Sequence, residues 1–214
     1  MILMEGSACI SHRLKRKPNG ITKADKEARK SDDLIKRDFK ANKPLEKCVT
    51  DMTEIKTSEG KLYISAIFGC FDLSVLGLAM DTNMKATLCE KTLENAYKAY
   101  PDIRGSILHY GRGTQYTSRL YRKAIKKYGI QQSMNSAGGR CHDNARCESM
   151  WARFKEELLY GSYDTSKMRV EEVKTLIWRY FISYWNNRRI CSANGGLPPV
   201  IKRQQYYAYL QDVA

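Results

Sequence analysis

Hydrophobic and polar positions change rhythm along this chain, and the change marks its elements. Lys47 to Lys56, Leu62 to Cys70 and Ser74 to Met80 are short runs rich in Val, Ile, Leu, Phe and Tyr, with Ser58, Glu59 and Gly60 as a turn between the first two. They predict three consecutive strands with hairpin-like connections. The period then lengthens. Asn83 to Ala99 predicts a helix ended by Pro101, Ser106 to Tyr110 a short buried strand, and Ser118 to Tyr128 a helix capped by Ser118 with Gly129 past its end. Tyr121, Ile125 and Tyr128 share one face of that helix, while Arg119, Arg122, Lys123, Lys126 and Lys127 cover the rest. Ile130 to Met134 predicts a further strand, followed by a loop at 135–140 that holds Gly138 and Gly139.

The next helix starts near Asp143 or Asn144 as N-cap and places Cys147, Met150, Trp151, Phe154 and Leu158 on one stripe. Glu148 lies at the edge of that stripe, about one turn inside the helix, where it can face the ends of the strands. A second amphipathic helix runs from about Val170 to Asn187 with Val173, Leu176, Ile177, Tyr180 and Tyr184 inward, and Gly195 to Pro199 breaks the chain before a last short helix. Three strands, a helix, a strand, a helix, a strand and further helices is the element order of a ribonuclease-H-like α/β fold. Its mixed five-stranded sheet is flanked by helices.

Charge separates the region before residue 47 from the rest of the chain. Arg13 to Lys47 holds 13 basic and 6 acidic residues, a net +7 that is half of the chain's +14. With few large apolar side chains, Pro18 and Pro44, this arm cannot build a core of its own. It predicts a segment that contacts nucleic acid or a solvated linker, and one that matters little to folding. The expected division is an arm at 1–46, a core at 47–190 and a tail with a short helix at 191–214. No acidic residue lies between Asp102 and Asp143, so the cationic face of the 118–128 helix also suits DNA. No stretch is apolar enough to span a bilayer, and Met1 to Met4 lacks the basic leader of a signal peptide, so a cytoplasmic, nucleoid-associated protein is expected. The seven cysteines form no Cys-x-x-Cys pair. Cys141, His142 and Cys147 are the tight Cys/His group, without an evident fourth ligand for zinc.

Four spaced motifs carry a family resemblance. Thr50-Asp51-Met52-Thr53-Glu54 lies on the first strand, and His109-Tyr110-Gly111-Arg112-Gly113-Thr114-Gln115-Tyr116 ends the fourth. Cys141-His142-Asp143-Asn144-Ala145 leads to Glu148-Ser149, and Tyr184-Trp185-Asn186-Asn187-Arg188 precedes Leu197-Pro198-Pro199. In this order they closely resemble the catalytic protein of bacterial insertion-sequence transposases of the retroviral-integrase type, over roughly residues 11 to 210. The arm resembles the linker that joins that family's helix-turn-helix region to its core.

The resemblance implies a three-carboxylate metal site for DNA cleavage and strand transfer. Such in-line displacements are helped by two divalent ions roughly 3.5 to 4 Å apart, and oxygen ligands suit Mg²⁺ or Mn²⁺. The strand carboxylate maps to Asp51 and the helix carboxylate to Glu148. The middle one maps to Gly111, 37 positions before Glu148, so the acid is absent. A glycine there also lets the backbone relax into a conformation that an aspartate would resist. His109, on the same strand face as Gly111, could serve Mn²⁺ or Zn²⁺ better than Mg²⁺, and Asp72 reads as structural or supporting. Expected DNA contacts are Arg112, Lys123, Lys126, Lys127, Arg140, Arg146, Arg153 and Lys155. The expected partners are transposon-end and target DNA, further copies of the chain and a helix-turn-helix protein. The alternative expectation is a non-enzymatic DNA-binding remnant that inhibits or scaffolds active subunits.

Overall fold

The computed structural model describes residues 31–136, 141–160 and 162–213. Its centre is a five-stranded sheet in the order β3-β2-β1-β4-β5, made by β1 (Lys47–Thr57), β2 (Gly60–Gly69), β3 (Val75–Asp81), β4 (Ile107–Tyr110) and β5 (Gln131–Met134). The first three strands form an antiparallel meander because only tight turns separate them. β4 and β5 each follow a helical crossover and pair parallel to their neighbours.

Helices cover both faces. α1 (Ala86–Ala99), the short α2 (Thr114–Thr117) and α3 (Arg119–Lys127) enclose one core with Cys48, Met52, Leu108 and Tyr110. α4 (Ala145–Phe154) and α5 (Val170–Trp178) enclose the other with Val49, Ile55 and Phe68. Ser118 caps α3 by accepting a hydrogen bond from the Tyr121 N–H at 3.1 Å, and Gly129 beyond its end takes a left-handed φ of 65°. α6 (Pro199–Asp212) is a 14-residue helix, longer than the short one expected.

Three sequence expectations change. The second amphipathic helix leaves α geometry: α5 continues as a π-helical stretch, Arg179–Trp185, whose wider turn rotates the stripe. Phe181 and Trp185 are therefore buried, and Tyr184, expected inward, is 44% exposed. The arm is not a free linker over its described part, because Ile35 and Leu45 are buried against the domain. Lys36 and Arg37 adopt left-handed φ values of 48° and 65°, a strained double turn that aims the Arg37 guanidinium at Asp143, 2.7 Å away. Finally, the tail is anchored by charge. Arg203 of α6 is buried, donates to Asp72 at 2.7 Å and stacks over the Tyr100 ring at 4.6 Å.

Candidate catalytic cleft and basic surfaces

Asp51 owes its direction to the alternation of β1. Val49 and Ile55 face the α4 side while Cys48 and Met52 face the α1 side, so Asp51 points toward α4. Helix α4 is tied to the strands at its start. Asn144 stands at the N-cap position, but its side chain does not cap; it donates instead to the Thr50 carbonyl at 3.3 Å. His109 on β4 bonds the Asp143 carbonyl through Nε2 at 2.9 Å and meets the Ser133 hydroxyl through Nδ1 at 2.8 Å. The Asp143 carbonyl can only accept, so Nε2–H is the donor there, and the Ser133 hydroxyl also accepts the Leu34 N–H.

The result is an open cleft of about 610 Å³ lined by Asp51, Glu148, Lys155 and Glu156 together with Met52, Trp151 and Tyr160. Burial pushes the Asp51 carboxyl up to about 6; the Met52 N–H opposes the rise, the charge of Glu148 adds to it and Lys155 tempers it. Three acids line one cleft with a single lysine, and Asp51 among them resists ionisation, an arrangement that a cation would stabilise.

The pairing of β4 explains the place of Gly111. Val49 and His109 form the last registered pair of β1 with β4, and Asp51 and Gly111 each follow two residues later, Gly111 just past the end of β4. A Cβ built at Gly111 meets no atom within 4 Å, and its φ is not left-handed. The expected backbone relaxation is therefore not found, and an aspartate would fit. Neither substitute ligand is free. His109 is fully buried with both ring nitrogens engaged, and the Asp72 carboxylate is held by Arg203 and Ser74. Among the described residues no three His, Cys, Asp or Glu side chains converge as a metal-binding group. Two carboxylates do not fit a two-ion centre.

The basic residues expected to touch DNA fall on three separate surfaces. Lys123 and Lys126 line a groove of about 790 Å³ beside α3 with Arg119 and Arg122, and its far wall is Ser31, Asp32 and Leu34 of the arm. Lys127 lies 5.2 Å over the Tyr128 ring on the same helix. Arg146 and Arg153 line a second groove of about 600 Å³ between α4 and the 190–196 segment. Lys155 stands in the acidic cleft, and Arg112 donates to the Asn135 carbonyl at 2.5 Å. Arg140 lies outside the described residues, as do the side chains of Cys141 and His142.

Sequence reasoning missed the work of the Trp185-Asn186 pair. Asn186 brackets Val75, accepting its N–H at 2.8 Å and donating to its carbonyl at 2.9 Å, while Trp185 Nε1 donates to the Leu73 carbonyl at 2.8 Å. These bonds cover the start of the edge strand β3. The available signal was a pair of asparagines after an aromatic run, which has no periodicity to interpret.

Comparison with known proteins supplies the family. Two family models, each described as an integrase core domain, match residues 41–139 and 128–199. An uncharacterized transposase-like protein of Haemophilus influenzae is 37% identical over 180 residues, covering 82% of this chain and 78% of that protein. InsK of Escherichia coli K12, the transposase assigned to insertion sequence element IS150, is 35% identical over 174 residues. That match covers 81% of this chain, which spans only 60% of the length of InsK. Among solved structures, a chain of the simian T-cell lymphotropic virus intasome in complex with a phosphatase regulatory subunit superposes with a TM-score of 0.54. At 12% identity over 79% of this chain and 57% of that one, it shares the fold alone. The chain belongs to the integrase-core transposases of bacterial insertion sequences.

Proposed function

We propose that this chain acts on DNA as the core of an insertion-sequence transposase, and that its cleavage and strand-transfer chemistry is impaired by the acid missing at residue 111. One observation supports the reading: Asp51 and Glu148 line one open cleft, while Gly111, two residues past the paired His109 as Asp51 is two past its partner Val49, would carry a Cβ into open space. Asp51 and Glu148 would hold Mg²⁺ or Mn²⁺ weakly, because oxygen-ligated ions of this kind depend on the number and placement of carboxylates. The ion's contribution to such chemistry is to stabilise the attacking and leaving oxygens. Lys123, Lys126 and Lys127, with Arg112, Arg146, Arg153 and Lys155, would hold DNA phosphates on either side of the cleft. Further copies of the chain and a helix-turn-helix protein are the proposed partners on transposon-end and target DNA.

The test is cleavage and joining of DNA carrying the ends of its own element. The native protein is expected to give little product, and Gly111→Asp a gain of at least about tenfold, since losing even a supporting residue of a metal site commonly costs about 10–100-fold. Adding Glu148→Gln should abolish the gain. Full activity of the native protein would overturn the reading. A second reading is favoured by the intact packing of α4 and the retained basic grooves around an incomplete acid set: a DNA-binding subunit that inhibits or scaffolds active ones. Salt-sensitive DNA binding with no gain from Gly111→Asp would select it.

A further inference from the structure

Helix α4 carries Glu148 in its first turn, and that turn is held from a distance. Its N-cap residue, Asn144, does not cap it, and a helix start without a cap frays unless contacts from elsewhere fix it. Those contacts converge on Asp143, in the 3₁₀ turn Cys141–Asn144 just before the helix. The Asp143 side chain is 1% exposed: Oδ1 accepts from Arg37 Nε at 2.8 Å and Oδ2 from the Ser136 hydroxyl at 2.7 Å, while the backbone carbonyl takes the His109 bond. Ser136 and Arg37 together hold its carboxyl below the usual carboxylate range, so the anchor is charged. His109 belongs to β4 and Ser136 to the loop after β5, but Arg37 comes from the arm, 106 positions earlier.

The arm is shaped to deliver that guanidinium. Asp33 Oδ1 accepts the N–H groups of Ile35 and Lys36 at 3.1 and 2.8 Å, which folds the segment into a turn around buried Ile35. The Met134 N–H donates to the Asp32 carbonyl at 3.1 Å, so the same segment runs along β5, the edge strand of the sheet. Lys36 and Arg37 then hold left-handed backbone, a strain that persists only where the surroundings enforce it. We infer that Arg37 is a positioning residue for Glu148: through Asp143 it fixes the first turn of α4, and it thereby couples the seating of the arm on the sheet to the geometry of the cleft. The inference rests on the proposed role of Glu148 and adds what sets its place.

The test is amide hydrogen exchange of the full chain, without DNA or metal. Arg37→Ala should speed exchange of residues 145–149 by at least about tenfold, the worth of a hydrogen bond between charged groups, while α5 at 170–178 exchanges as in the native protein. Arg37→Lys keeps the charge without the fork and should fall between the two. Unchanged exchange at 145–149, or equal acceleration in α4 and α5, would overturn the inference and leave the proposed function standing. A second measurement adds Arg37→Ala to the Gly111→Asp protein: kcat for DNA cleavage should fall about tenfold or more with KM unchanged, and Arg37→Lys should recover part of it. A raised KM at unchanged kcat would make Arg37 a DNA contact and overturn the positioning role. Absence of cleavage by Gly111→Asp itself would count against the proposed function, and exchange alone would then decide whether Arg37 fixes α4.

Discussion

Two aspartates at different ends of the sheet have opposite fates. Asp72, in the turn between β2 and β3, is fully buried and neutralised in place by Arg203, the Ser74 N–H and the Ser74 hydroxyl at 2.7 to 3.0 Å. Asp51, in the middle of β1, has no ion pair among the described residues and shares its cleft with a second acid. Its carboxyl is pushed up to about 6, chiefly by burial. An acid used for structure is satisfied within the chain, whereas an acid kept beside another and left without a cation depends on something the chain itself does not supply. The difference separates what holds the tail on the domain from the acids that line the open cleft.

The largest effect should come from breaking the satisfied acid. Arg203→Ala would leave Asp72 buried without its cation and should cost about 3–5 kcal/mol in urea unfolding. Glu148→Gln, on the exposed edge of α4, should change stability by less than about 0.5 kcal/mol. Similar losses from the two variants would erase the contrast.

Asp51 gives the next effect, and its sign is opposite to that of a salt-bridged carboxylate. Because its folded pKa of about 6 lies above the unfolded value of roughly 3.9, the native state binds the proton more tightly. Its contribution to stability is fully present below about pH 4 and is lost as pH rises through 6, a change on the order of 2–3 kcal/mol. Asp51→Asn should therefore melt higher than the native protein above pH 6, by roughly 4–10 °C, with the two curves converging toward pH 4. Parallel curves across that window would mean that the carboxyl is not held in this environment.

The smallest effect sharpens the boundary of the arm. Residues 1–30 carry eight basic and three acidic side chains, and removing them should flatten the salt dependence of DNA binding by about 0.9 in slope for each phosphate no longer neutralised. A protein beginning at 31 should retain a cooperative transition. One beginning at 47 should lose a further 1.5–3 kcal/mol or so, because it also forfeits buried Ile35 and Leu45 and the Arg37–Asp143 pair. Equal stability of the two truncated proteins would make the packing of 31–46 energetically irrelevant.

Much of the fold was legible in local pattern. The three first strands, the Ser118 cap and the buried stripe of α4 all follow from periodicity and turn chemistry acting within a few residues. Tyr184 failed because a π-helical turn, which shifts the stripe, has no signature in hydrophobic spacing. Arg203 carried no signal in the sequence, because an arginine on a mixed tail helix reads as surface until its partner, 131 positions earlier, is seen to be buried with it. The basic residues were legible as a charge, but not as three surfaces.

The sequence by itself determined the order of strands and helices and the family motifs, because each is written in neighbouring residues or in residue type. Only the tertiary structure decided that Asp51 and Glu148 line one cleft, that His109 and Asp72 are already engaged, and that the arm closes one wall of the groove beside α3. Those facts join positions tens of residues apart, around a sheet in which β1, β4 and β5 pair in parallel register. That register is set by burying both faces of the sheet at once, a condition that no local stretch of the chain carries.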